Sequence, residues 1–126
     1  SQFLLPLSEA GVDIFHCSQR RFWEPEFEGS DLNLAGWTRK ITGKPSITVG
    51  SVGLNADFIP VPGEVTFREA EPASLDELER RLSDNEFDLV AVGRALISNP
   101  SWVDMVRDDR PDDIKPFRKE HLGQLV

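Results

Sequence analysis

The sequence has few of the residues that build disulfides, metal sites and membrane spans. Its 126 residues include one cysteine and two histidines. A single cysteine excludes an internal disulfide, and the sequence contains no His/Cys cluster that could hold a metal ion. No apolar run approaches the roughly 18 residues of a membrane span, and no signal peptide is recognisable. We therefore expect a cytoplasmic protein of one domain without a metal centre.

Basic residues are in the minority. The chain has 14 lysines and arginines against 22 aspartates and glutamates, which gives a formal net charge of −8 at pH 7. Because such a surface repels phosphate backbones, nucleic acid is not an expected partner. The acidic residues concentrate in segments 64–86 and 104–113, where solvated faces and loops are the ordinary explanation.

Three stretches of the sequence share one order: a short β-rich run, a loop and an amphipathic helix. The strands are predicted at residues 12–16, 46–49 and 87–92. Helices are predicted before Gly11, at about 31–42, from 74 onward, from 99 onward and, as a short last one, near 116–125. This alternation indicates βα units on a parallel sheet. The apolar third strand predicts cover on both faces, and a proline-containing excursion is expected at residues 54–72.

Polar residues predict where three of these helices begin. Ser30 is expected to cap the second helix, since its hydroxyl can accept a free backbone N–H. Ser74 with Glu77 has the pattern of a capping box. Asn99 is predicted as an N-cap, with Pro100 at the first helical position.

Three βα units cannot close a parallel barrel. Left as an open sheet they would have two bare edges, and bare edges invite pairing. The first helix also lacks a strand before it, which indicates truncation. We therefore expect a piece of a larger fold or an assembly of several copies.

Two predicted strands are followed by residues suited to a phosphate. These residues are Gly50 with Ser51 after the second strand and Gly93 with Arg94 after the third. Parallel α/β folds bind ligands outside the carboxyl ends of their strands. There, glycine lets backbone N–H groups approach a phosphate, and arginine can grip one with two parallel bonds. Taken alone, each pair is explained better by ordinary turn geometry or a surface arginine. Together, on consecutive strands, they leave both interpretations open.

The residues around these strand ends resemble one known family. The run 90–100, with its Gly-Arg-x-x-Ile-Ser-Asn-Pro stretch, resembles the final strand and phosphate grip of the Old Yellow Enzyme family. Residues 47–53 resemble the family's preceding phosphate loop, and residues 16–25 are similar to the exit of its sixth strand. Residues 116–118 resemble its barrel-closing end. The resemblance covers nearly the whole chain.

The resemblance implies a fold and a cofactor. The family consists of FMN-dependent NAD(P)H oxidoreductases on a (β/α)8 TIM barrel, which reduce activated alkenes such as enones. The chain would be the C-terminal third of such a barrel, about three βα units, with Gly50, Ser51, Gly93 and Arg94 binding the FMN phosphate. No catalytic residue is implied. The family's substrate anchors lie earlier in the chain, and its tyrosine proton donor has no counterpart in a sequence without tyrosine. The isolated chain is therefore expected to be inactive.

Two other functions stay open. The chain could be a non-catalytic fragment that self-associates through exposed strand edges, which a dilute monomer in sedimentation would argue against. It could also be the phosphate-binding part of another TIM-barrel enzyme, since several barrel families use loops after their last strands for phosphate. Flavin absorbance of the intact parent separates that possibility from the FMN assignment.

His16, Cys17 and His121 are the residues that could in principle support chemistry other than phosphate binding. His16 beside Cys17 could face a substrate or support a nucleophile, but no Asp or Asn is placed to complete such a site, and a structural histidine is the favoured interpretation. His121, in the tail, is predicted to be solvated.

The aromatic residues are expected to pack rather than to bind a cofactor. The loop 20–23 (Arg-Arg-Phe-Trp) could form a wall of the flavin or substrate cavity. The favoured interpretation is loop packing, with the rings buried and the arginines paired to nearby glutamates. Trp37 and Trp102 are predicted to lie in the core.

Overall fold

The computed structural model describes residues 1–56 and 69–124, and the chain divides into two compact units. The first unit contains Ser1–Gly50 and Asp76–Ala91, and the second contains Ser51–Leu75 and Val92–Val126. Most of the excursion expected at residues 54–72 lies outside the described residues, as does the last residue of the helix expected near 116–125.

The first unit contains a parallel sheet of three strands in the order β1-β2-β3. The strands are β1 (Phe15–Ser18), β2 (Ser46–Val49) and β3 (Leu89–Val90). In the register, Phe15 pairs with Ser46 and Thr48 pairs with Val90. The predicted parallel sheet is confirmed, and the predicted bounds of β2 are those of the structure.

The first strand begins three residues later than the sequence predicts. The N–H of Val12 donates to the carbonyl of Leu7 at 3.2 Å, which closes the preceding helix. The carbonyl of Val12 accepts from the Lys44 ammonium. Both backbone groups of Val12 are therefore used outside the ladder, and the ladder starts where the N–H of Phe15 donates to the Pro45 carbonyl.

The third strand is shorter and more exposed than predicted. Only Leu89 and Val90 lie in it, although the N–H groups of Asp88 and Ala91 on either side also bond to β2. The side chain of Leu89 is 53% exposed, so the expectation of cover on both faces is wrong for this residue in the first unit. Phe87, just before the strand, is fully buried and contributes to the core instead.

The helices of the first unit are α1 (Leu4–Glu9), α2 (Leu34–Thr42) and α3 (Asp76–Ser83). The cap of α2 is Asn33 rather than the predicted Ser30. Asn33 Oδ1 accepts from the N–H of Gly36 at 2.9 Å, and its amide nitrogen donates to the Phe22 carbonyl and the Thr48 hydroxyl. Ser30 forms only a local turn, in which its hydroxyl accepts from the N–H of Leu32. The cap therefore also joins α2 to the sheet.

Helix α3 begins at Asp76, two residues after the predicted start. Leu78 is buried on its inner face, whereas Leu82, which the apolar pattern also places there, is exposed. The carboxylate of Glu77 accepts hydrogen bonds from Arg80 at 2.7 Å and from Arg81 at 2.8 Å. The helix start is thus stabilised by ion pairs within the helix.

We expect these ion pairs to make stability sensitive to acid. Hydrogen bonds, first from Arg80 and then from Arg81, lower the pKa of Glu77 from 4.5 to about 2. A carboxyl group with a lowered pKa stabilises the fold above its ordinary pKa and loses that contribution as the pH falls toward 2. Because the Glu77 side chain is 44% exposed, the effect should stay below about 1 kcal/mol.

The measurement is the midpoint of denaturant unfolding from neutral pH down to about pH 2 for Glu77→Gln. We expect the variant to lose part of the acid dependence of the wild type. Glu79→Gln, at an exposed position of the same helix, is the matched control and should keep the wild-type profile. Superimposable profiles for Glu77→Gln and the wild type would contradict this account.

The second unit contains α4 (Arg94–Ser98), α5 (Trp102–Arg107) and two 3-10 turns (Pro111–Asp113 and Lys119–Gly123). The later 3-10 turn occupies the position of the predicted last helix. Helix α4 was not predicted. It begins directly after Gly93, and the N–H of Leu96 donates to the Gly93 carbonyl at 2.9 Å.

Asn99 does not cap a helix start, contrary to the sequence prediction. It follows α4 and is almost fully buried. Its amide nitrogen donates to the Lys115 carbonyl at 2.9 Å, and its side-chain oxygen accepts from the Lys115 N–H at 2.7 Å. Helix α5 begins after Ser101 instead. The side chain of Asn99 therefore fastens the end of α4 to the tail of the chain.

Candidate functional site

Gly50 occupies a crowded position in the first unit. Its φ is +148°, and a Cβ there would lie 2.6 Å from the Gln19 carbonyl oxygen and 3.0 Å from the Phe22 nitrogen. Its own carbonyl accepts from the N–H of Phe22 at 3.0 Å. Close packing against the loop after β1 therefore accounts for glycine here. The predicted contact of Gly50 with a phosphate stays a prediction.

Ser51 and Arg94, from the two predicted strand ends, meet in the second unit. A guanidinium nitrogen of Arg94 donates to the Ser51 hydroxyl at 3.4 Å and also to the Ala56 carbonyl. The Ser51 hydroxyl donates to the same carbonyl at 3.2 Å. Ser51 has φ +51°, in the left-handed region, so its backbone turns sharply at this point. The structure thus places a hydroxyl and a guanidinium next to each other.

Gly93 lies in open surroundings, in contrast to Gly50. It is exposed, and a Cβ built on it would meet no atom within 4 Å in the part of the chain that the structure describes. Packing among the described residues therefore gives no reason for glycine at this position. A ligand that approaches the backbone closely would give one.

Phe117 packs against Arg94 and was not identified as a site residue from the sequence. The Cζ atom of Arg94 lies 5.4 Å from the centroid of the Phe117 ring, within the range of a cation–π interaction. Phe117 is fully buried. Its resemblance to the family's barrel-closing end was the only sequence signal, because no spacing rule connects residue 117 with residue 94.

The loop after β1 shows the packing that was predicted from the sequence, with a buried ring and an arginine paired to a glutamate. Arg21 forms an ion pair with Glu24 at 2.7 Å, and Phe22 is buried. The rings of Phe22 and Trp23 contact each other edge to face, with centroids 5.3 Å apart. Loop packing is therefore confirmed for Arg21 and Phe22.

A buried arginine fixes this loop to α3, which the sequence did not reveal. Arg81 is 4% exposed and donates to the carbonyls of Asp31 at 2.7 Å and Trp23 at 3.2 Å. Glu86 lies 3.6 Å from its guanidinium. Burial is the main cause that raises the pKa of Glu86. Arg81 thus satisfies backbone groups of the loop that would otherwise face the protein interior.

His16 and Cys17 do not form a nucleophilic pair. Successive residues of a strand point to opposite faces, and in β1 His16 is exposed while Cys17 is buried. The Cys17 sulfur lies 3.4 Å from the Thr38 hydroxyl, and burial raises the pKa of the thiol. A raised pKa disfavours the reactive thiolate. The nucleophile interpretation is therefore not supported.

Three other side chains differ in how well the sequence predicted them. His121 is partly exposed, as its predicted solvation implies, and its Nδ1 also lies 2.7 Å from the Ser98 hydroxyl. Trp102 is buried as predicted, and its ring would lie 3.2 Å from a Cβ on Gly53. Trp37 is only half-buried, with the Lys40 ammonium 5.0 Å from its ring centroid.

Residues 1–56 and 69–124 contain neither a cluster of metal-binding side chains nor a helix able to span a membrane. No three His, Cys, Asp or Glu side chains in these segments converge to hold a metal ion. The helices of the same segments are all too short or too polar to cross a bilayer.

The chain is similar in sequence to part of an oxidoreductase. A curated NADH oxidase from Thermoanaerobacter brockii is 32% identical to it over 125 residues. This alignment covers 93% of the chain but 16% of the relative, so the chain spans about a sixth of the relative's length. No family model matches the chain.

Proposed function

We propose that this chain is the C-terminal third of a (β/α)8 barrel in an FMN-dependent NAD(P)H oxidoreductase of the Old Yellow Enzyme type, and that it binds the FMN phosphate. The contact between Arg94 and Ser51 carries the proposal, since it joins residues from the two predicted strand ends. Three parallel strands in consecutive order suit a segment of a barrel. Similarity to an NADH oxidase favours redox chemistry over the other phosphate-binding barrels.

The residues present fit a phosphate group. The Arg94 guanidinium already binds a neutral acceptor, the Ala56 carbonyl, and the hydroxyl of Ser51. A phosphate oxygen that replaces the carbonyl exchanges a neutral acceptor for a charged one, and charge-assisted bonds are roughly twice as strong. No atom of residues 1–56 or 69–124 lies within 4 Å of a Cβ built on Gly93, which leaves room in this part of the chain for the same anion to approach its backbone.

Gly50 is proposed as a further backbone donor to this phosphate. It precedes Ser51 in the chain. Its packing against Gln19 and Phe22 explains glycine there without a ligand, so the role of Gly50 rests on the family resemblance. Ser51, Gly93 and Arg94 are supported by their own geometry in the second unit.

The chain's own contribution is to bind and orient the cofactor. Bound FMN would supply the hydride-transfer chemistry between NAD(P)H and an activated alkene such as an enone. Arg94 offsets the negative charge of the phosphate in a half-buried position, and Ser51 adds a neutral hydrogen bond. Because the sequence has no tyrosine to donate a proton, we expect residues 1–126 alone to show no turnover.

The proposed function is tested by loading the complete protein with FMN. We expect the purified protein to retain visible flavin absorbance, and the absorbance to bleach when NADH or NADPH is added without oxygen. A protein that retains no FMN, or that holds a different phosphate ligand, would contradict the proposal. Riboflavin, which lacks the phosphate, is the matched control and should be retained more weakly.

Self-association through strand edges stays a second candidate for the isolated chain. The position of β3 at the edge of the three-stranded sheet is the observation that favours it, since the backbone of an edge strand can pair with a strand of another copy. Both proposals are compatible with the parallel sheet of the first unit.

A further inference from the structure

We infer that Phe117 is a positioning residue for the phosphate-binding arginine, and that its ring holds the guanidinium of Arg94 in place before the phosphate arrives. This inference rests on the proposed function. It goes beyond it by giving the tail of the chain a part in cofactor selectivity.

The backbone of Phe117 is firmly fixed. The N–H of Phe117 donates to the Ala70 carbonyl at 2.8 Å, and the N–H of Ala70 donates to the Phe117 carbonyl at 3.1 Å. This reciprocal pair is an isolated antiparallel bridge. The next residue, Arg118, forms an ion pair with Glu71 at 2.6 Å. These three polar contacts hold the backbone from which the Phe117 ring projects.

The ring in turn limits where the guanidinium can lie. The Cζ atom of Arg94 lies 5.4 Å from the ring centroid, within the roughly 6 Å over which the ring quadrupole attracts a cation. The Ser51 hydroxyl and the Ala56 carbonyl bind the guanidinium through hydrogen bonds. Arg94 thus has contacts of two kinds, one through its π face and others through its N–H groups.

A guanidinium held in this way loses less conformational freedom on binding. A long side chain that is already ordered does not have to be immobilised by the ligand, so more of the phosphate interaction appears as affinity. The effect should be confined to ligands that carry the phosphate, because the ring acts through Arg94. Selectivity for FMN over riboflavin is therefore the quantity that Phe117 should change.

The experiment measures dissociation constants for FMN and for riboflavin in the complete protein. Phe117→Leu removes the aromatic ring but keeps an apolar side chain. We expect FMN binding to weaken by roughly three- to tenfold, with riboflavin binding changed less than about twofold. In an Arg94→Ala background, the same substitution should weaken FMN binding no further.

Two further variants keep the test decisive. Replacement of Phe117 by 4-fluorophenylalanine keeps the ring in a fully buried site while withdrawing electron density from its face, and should give a smaller loss in the same direction. Phe87→Leu, at an equally buried phenylalanine of the first unit, is the matched control and should leave the ratio of FMN to riboflavin affinity unchanged.

These measurements test the positioning role of Phe117 separately from the phosphate site itself. Equal losses for FMN and riboflavin in Phe117→Leu, or a full further loss in the Arg94→Ala background, would overturn the positioning role of Phe117 while leaving the phosphate site intact. An unchanged FMN affinity in Arg94→Ala alone would instead remove the phosphate site.

Discussion

Replacing Gly50 with alanine is expected to destabilise the protein by about 3 kcal/mol, the sum of a strained backbone and an overpacked contact. The φ of +148° is a conformation that residues with a Cβ rarely adopt. The added methyl would lie 2.6 Å from the Gln19 carbonyl oxygen and 3.1 Å from the Arg21 nitrogen. Both are backbone atoms, so relief requires the loop after β1 to move.

The free energy of unfolding of the complete protein, from denaturant titration, measures this effect. Gly123→Ala is the matched control, because Gly123 has no positive φ, has no role in the proposed site, and a Cβ there meets no atom within 4 Å among the described residues. It should cost less than about 1 kcal/mol. Similar losses for the two variants would contradict a crowded, strained backbone at Gly50.

Strand β2 could be predicted to the residue because local signals bracket it. A glycine in the left-handed conformation, Gly43, ends α2, and Pro45 follows. Gly50, with its positive φ, ends the strand on the other side. Strand β1 has no such boundary at its start. The apolar Val12 and Ile14 suggested an earlier start, but Lys44, more than thirty residues away in sequence, takes the carbonyl of Val12.

The cap predictions failed for the same physical reason. A polar side chain near a helix start can bind the local backbone or a distant group, and the sequence shows only the first possibility. Asn99 binds Lys115, 16 residues further along the chain. Asn33 does both, since it caps α2 and reaches Thr48 in β2, 15 residues further along.

Some features of the candidate site could be predicted from the sequence and others could not, again because some depend on local residues and others on distant contacts. Strand-end glycines and an arginine can be recognised from the sequence because their conformational and charge properties are local. The contact between Arg94 and Phe117 could not be predicted, because it depends on how the tail pairs with Ala70. The different surroundings of Gly50 and Gly93 were also invisible, since both read as glycines after a strand.

Removal of the Arg94 guanidinium is expected to weaken FMN binding by about 30-fold, or about 2 kcal/mol, which is typical for the loss of hydrogen bonds to a charged group. The guanidinium is half-buried and contacts both the Ser51 hydroxyl and the Phe117 ring, so its removal takes away the positive charge at that point. Arg94→Lys keeps the charge but loses the planar fork, and should fall between the wild type and Arg94→Ala.

The most direct measurement compares the dissociation constants of FMN and riboflavin for the complete wild-type protein and for Arg94→Ala. We predict that the variant loses most of its preference for FMN while its affinity for riboflavin stays within about twofold of the wild-type value, because Arg94 acts on the phosphate alone. An Arg94→Ala protein that still prefers FMN as strongly as the wild type would show that the phosphate lies elsewhere.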